Sequence, residues 1–72
     1  MSNFIDVNGV ITEQLPAGMF IVKLEDGRSV KAAISGKLRM NFIRLLVGDH
    51  VTVTFNGDDD SHGRITYRHK NY

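Results

Sequence analysis

The 72-residue chain contains no cysteine. That excludes a disulfide framework, a thiolate zinc site and a thiol nucleophile. No apolar run approaches the roughly 20 residues that a membrane-spanning helix needs. The expectation is a soluble, cytoplasmic protein with no membrane segment. Catalytic signatures are missing too. There is no Gly-x-Ser-x-Gly elbow, no glycine-rich phosphate loop and no His-Glu-x-x-His pair. A chain this short buries only about 60% of its unfolded surface and has little room for an enclosed pocket. The expectation is a non-enzyme without a cofactor, folded as a single domain over residues 1–72 with mobile termini.

A metal site is also disfavoured. Asp58, Asp60, His62 and Gly63 follow the opening of a calcium loop. The twelfth position of that loop would be His69, where the geometry requires a bidentate Glu. The acidic run reads instead as a solvated loop, and no metal is expected.

What is present is alternation. Ile5, Val7 and Ile11 share one parity, with Gly9 between them; Asp6, Asn8, Thr12 and Gln14 take the other. This is the period of a half-buried strand, and Gly9 marks a bend within it. Leu15-Pro16-Ala17-Gly18 reads as a connection. Phe20, Val22 and Leu24 line the inner face of a second strand. Glu25-Asp26-Gly27-Arg28 is a hairpin turn, and Val30, Ala32 and Ile34 line the return strand. Ser35 is a cap for a short helix beginning near Lys37, with Leu38 and Phe42 turned to the core. Val51, Val53 and Phe55 define a fourth strand. Asn56 to His62 reads as a polar loop. Gly63 opens a fifth strand with Ile65 and Tyr67 inward. Three strands, a short helix and two more strands make an all-β, five-stranded OB-fold barrel with the helix between strands 3 and 4. Closure hides the sheet edges.

Charge is nearly balanced, with nine Lys and Arg against eight Asp and Glu, but it is unevenly spread. Lys37, Arg39 and Arg44 stand together without an intervening acid. So do Arg64, Arg68 and Lys70. On a regular strand Arg64 and Arg68 share a face, opposite Ile65 and Tyr67. Guanidinium groups offer a planar fork that fits phosphate, so these groups are candidate polyanion contacts. With Phe20, Phe55 and Tyr67 at core parity, only Phe4 and Tyr72 are expected to be exposed aromatics. Binding is therefore expected to rest on charge and shape more than on base stacking.

Several runs in fixed order carry a resemblance: Ile34-Ser35-Gly36-Lys37-Leu38-Arg39, Asn41-Phe42-Ile43-Arg44, and Gly48-Asp49-His50-Val51-Thr52-Val53. Leu15-Pro16 with Met19-Phe20, Leu24-Glu25-Asp26-Gly27, and Gly63-Arg64-Ile65 with Tyr67-Arg68 complete the set. Together they resemble the bacterial translation initiation factor 1 family over nearly the whole chain. The chain departs from the family pattern at Ile21, Ala33 and Met40, and in the stretch from Asn56 to His62.

The resemblance implies an OB barrel that binds the small (30S) ribosomal subunit at the A site. Its implied partners are 16S ribosomal RNA, a ribosomal protein near that site, and initiation factors 2 and 3, with the factor itself a monomer. The family's RNA-contacting positions fall on Lys37, Arg39, Arg44, Arg64 and Arg68. The alternative on the same fold is a general single-stranded RNA-binding protein or RNA chaperone. A protein-interaction barrel, hinted at by Ile21 and Met40, is a third reading.

Overall fold

In the computed structural model, residues 3–41, 43–57 and 59–69 are described, with residues 59–61 described as backbone. The first strand, β1 (Phe4–Leu15), is the element that closes the barrel. Its first part pairs with β4 (His50–Asn56), from Phe4 opposite Asn56 to Val10 opposite His50. Its second part pairs with β2 (Met19–Leu24), from Gly9 opposite Leu24 to Leu15 opposite Met19. Gly9 lies at the crossover, as the sequence predicts. A Cβ there would stand 2.6 Å from the Lys23 carbonyl oxygen, so only glycine lets the two strands approach.

The hairpin from β1 to β2 turns through Pro16–Gly18, where both Ala17 and Gly18 take positive φ. The next hairpin leads to β3 (Ser29–Ile34), with Gly27 at φ 93°. Arg28 donates its backbone N–H to Asp26 Oδ1 at 3.0 Å and its Nε to Oδ2 at 2.8 Å. The backbone N–H is the main cause that holds the Asp26 carboxyl below its ordinary value, helped by the Arg28 side chain.

After β3, Ser35 caps α1 (Gly36–Met40): its Oγ accepts from the Leu38 N–H at 3.3 Å. The helix is a single turn. Ile43, Arg44 and Leu45 follow it as irregular chain, not as a helical continuation or a strand. The final strand, β5 (Asp59–His69), runs parallel to β3 and antiparallel to β4, giving the closed order β1-β2-β3-β5-β4. This strand starts earlier than the sequence suggested. Asn56 already pairs with Asp59, so the strand takes in residues 59–62 of the expected loop from Asn56 to His62. Asp58, Phe42, Lys70 and Tyr72 lie outside the described residues, as do the side chains of Asp59 and Asp60.

Ile11, Phe20, Val22, Leu24, Val30, Ala32, Val51, Val53, Phe55 and Ile65 form the core as their parity predicts, with Leu38 from the helix. Leu45 joins them from the irregular segment. Val7 and Ile34 pack against this core partly buried, and two expected inward residues are exposed. Ile5 keeps core parity but sits at the barrel rim opposite Phe55 and is 52% exposed. Tyr67 is 58% exposed because β5 contains a bulge. Val53 pairs with Ile65 and the adjacent Thr52 pairs with Tyr67, which leaves Thr66 as an extra residue. A bulge reverses the parity of everything beyond it.

Candidate nucleic-acid interface

That bulge also separates two arginines expected on one face. Arg64, before it, lies opposite Thr54 of β4 and Ala33 of β3. Those residues face outward, so Arg64 is on the outer wall. Arg68, after it, lies opposite the buried Val51 and so has core parity at the barrel end. It escapes burial by reaching along the rim, where its Nη1 donates to the Arg44 carbonyl oxygen at 2.9 Å.

The end of β5 has an open flank because β3 stops at Ile34, opposite Ile65. Beyond that pair, β5 faces α1 and the segment after it. A groove of about 550 Å³ lies there, lined by Lys37, Asn41, Thr66, Tyr67 and Arg68 over Leu38 and Ile43. Lys37 and Arg68 are thus brought to one groove, by α1 and β5 respectively, and the Arg44 backbone adjoins it through the bond its carbonyl accepts from Arg68. Arg39 is not among them. Its Nη2 points back to the β1–β2 turn, 3.4 Å from where a Cβ on Gly18 would stand. Arg64 lines a second cleft of about 540 Å³ with Phe4, Thr54, Asn56 and Thr66. Of the five predicted residues, Lys37 and Arg68 line one groove, Arg64 lines a separate cleft, and Arg39 points to the β1–β2 turn.

Among the described residues, none of these five basic side chains is paired with a carboxylate. Two of the described acids are otherwise engaged. Asp6 accepts from Thr54 Oγ1 at 2.7 Å, and Asp49 accepts from the Leu46 N–H at 2.9 Å. Unneutralised guanidinium and ammonium groups on a surface concentrate polyanions and form charge-assisted hydrogen bonds with phosphate. A larger cleft, about 670 Å³, lies elsewhere between the β1 bend and His50. It holds Lys23 and Glu25, of opposite sign, and none of the five.

Outward-facing side chains of β1, β4 and β5 are tied in two rows. Thr54 donates to Asp6, so Thr66 Oγ1 donates to Thr54 Oγ1 at 2.8 Å. Thr52 donates to Asn8 Oδ1 at 2.7 Å, so His69 Nε2 donates to Thr52 Oγ1 at 2.8 Å. The His69 ring then packs 4.8 Å from the Tyr67 ring, tilted by 57°. Sequence reasoning missed exposed Tyr67, since no local signal announces a bulge.

A closed five-stranded barrel with α1 between β3 and β4 defines an OB-fold protein. The family model described as "Translation initiation factor 1A / IF-1" matches residues 4–72. The chain is 52% identical over 69 residues to the translation initiation factor IF-1 of Oenococcus oeni, a match spanning 96% of each chain. It superimposes on the solution structure of translation initiation factor 1 from the Wolbachia endosymbiont strain TRS of Brugia malayi with a TM-score of 0.79. That pair is 37% identical, covering 94% of this chain and 80% of the other. YjeQ from Thermotoga maritima shares the fold alone, with a TM-score of 0.73 at 22% identity over 92% of this chain and 23% of that one. The chain belongs to the translation initiation factor 1A / IF-1 family, and its function lies in translation initiation.

Proposed function

We propose that the chain binds the small (30S) ribosomal subunit at the A site, contacting 16S ribosomal RNA and a neighbouring ribosomal protein. In this reading it works in the cytoplasm as a monomer beside initiation factors 2 and 3. The observation that carries the proposal is the convergence of Lys37 and Arg68 on one groove, with no carboxylate paired to either among the described residues. Arg39, Arg44 and Arg64 add exposed positive charge to the barrel. Phosphates supply most of the affinity in such contacts, and the shape of the folded RNA supplies the specificity.

General single-stranded RNA binding is the second reading, and exposed Tyr67 and Phe4 favour it. Sedimentation with purified small subunits, with excess unstructured RNA as competitor, separates the two. Retention on the subunit despite competitor supports the ribosomal factor. Complete displacement by competitor supports the general binder.

A further inference from the structure

The cleft of about 670 Å³ beside the β1 bend takes no part in the contacts proposed above. Two histidines line it, His50 from β4 and His69 from β5. They are register partners in the antiparallel pairing of those strands. Both face outward. His50 precedes the buried Val51, and the bulge at Thr66 brings Tyr67 and His69 to the outer face. Residues directly opposite each other on one face of an antiparallel pair have Cβ atoms about 4.5–5.5 Å apart. Two imidazoles rooted that close can each turn a nitrogen to one ion, at the roughly 2.0–2.1 Å of a zinc–imidazole bond.

The hydrogen bonds around His69 select the form of the ring that a metal needs. Thr52 donates its hydroxyl proton to Asn8 Oδ1 at 2.7 Å, so it accepts from His69 Nε2 at 2.8 Å. A neutral imidazole has one N–H, and fixing it on Nε2 leaves the lone pair on Nδ1. Metal-ligating histidines donate their other ring N–H to a fixed acceptor in this way, which sets both tautomer and orientation. Packing 4.8 Å from the Tyr67 ring restrains His69 further. His50 makes no hydrogen bond among the described residues, so its ring can turn toward His69. Lys23 and Glu25, which line the same cleft, have opposite signs, so no excess positive charge repels a dication.

We propose that His50 and His69 form a site for one divalent transition-metal ion, zinc or copper, bound by His69 Nδ1 and a ring nitrogen of His50. No third histidine, aspartate or glutamate among the described residues groups with them, so the chain supplies two ligands and leaves the other positions to water. Imidazole suits zinc and copper, whereas magnesium and calcium take oxygen ligands. The site is independent of the ribosomal reading and uses none of its five basic residues.

The test is isothermal titration calorimetry of the full chain with zinc chloride, with copper(II) as a second probe read by electron paramagnetic resonance. One ion should bind per chain, copper more tightly than zinc, and the copper spectrum should show coupling to nitrogen. His50→Ala and His69→Ala should each weaken binding by about 10-fold or more. Thr52→Val removes the acceptor that fixes the tautomer and should weaken it by roughly 10-fold. His62→Ala should change nothing, because His62 is paired with Lys31 of β3, away from the cleft. Nitrogen NMR of the metal-free chain should find the His69 proton on Nε2, and Thr52→Val should lose that preference. Thermal unfolding of each variant confirms that the barrel is intact. Absence of zinc and copper binding by the wild type overturns the proposal. So does unchanged affinity in His50→Ala or in His69→Ala, loss of binding in His62→Ala, or a proton on Nδ1 of metal-free His69.

Discussion

Gly63 is the position where one added methyl group should do most damage. It lies in β5 next to Ala32 of β3, against the centre of the barrel. A Cβ there would collide with Val53 Cγ1 and stand 2.9 Å from Phe55 Cε1. Carbon atoms pack best at about 3.5–4.0 Å. Val53 is 0% and Phe55 2% exposed, so neither can yield by swinging into solvent. Overpacking of this kind costs about 1–3 kcal/mol. A domain of 72 residues holds about 4–11 kcal/mol in total. Each kcal/mol moves the midpoint of so small a domain by about 4–8 °C, so Gly63→Ala should melt roughly 5–20 °C below the wild type. Gly36→Ala is the control: nothing lies within 4 Å of its added methyl group, and alanine favours the helix. Circular dichroism melts of both variants are sufficient. A Gly63→Ala midpoint within about 2 °C of the wild type would refute the packing of β5 on β4 described here.

Arg64→Ala should weaken subunit binding without moving the melting point, whereas Arg68→Ala should do both, because it also loses the bond to the Arg44 carbonyl; about 1 kcal/mol is expected from that bond. Equal melting points for the two would contradict the rim anchor. Ser35→Ala removes the cap of α1 and should cost about 0.5–2 kcal/mol in a denaturant titration, with Ser35→Asp keeping more of the stability than Ala. The Asp26 carboxyl has a folded value below its ordinary one, so its contribution is present above the unfolded value near 3.8 and is lost as pH falls through the folded value. Asp26→Asn should therefore narrow the stability difference between neutral and acidic pH, and an unchanged acid profile would show that the carboxylate adds nothing.

Local chemistry made much of this barrel legible. Asp26-Gly27 declared its hairpin because only a few residues accept positive φ, and Ser35 declared a helix start because its hydroxyl caps an N–H three residues on. Alternation in β2, β3 and β4 predicted their buried faces because those strands are short and regular. What failed depended on pairing between distant segments. Thr66 bulges because of how β5 meets β4, and that reversal moved Tyr67 outward and parted Arg64 from Arg68. Leu45 reaches the core from a segment with no period to read, and Ile5 is exposed because the barrel ends beside it. The basic residues were legible as types. The convergence of Lys37 and Arg68 on one groove, apart from Arg39, needed the fold.

The most direct test of the central claim, that basic side chains on this barrel bind the phosphates of the small subunit's RNA, is the salt dependence of that binding. With about five side chains on phosphate, the slope of log K against log salt should be roughly −3 to −5. Arg64→Ala should make it shallower by about 1. A wild-type slope near zero would contradict the account and assign the contact to protein.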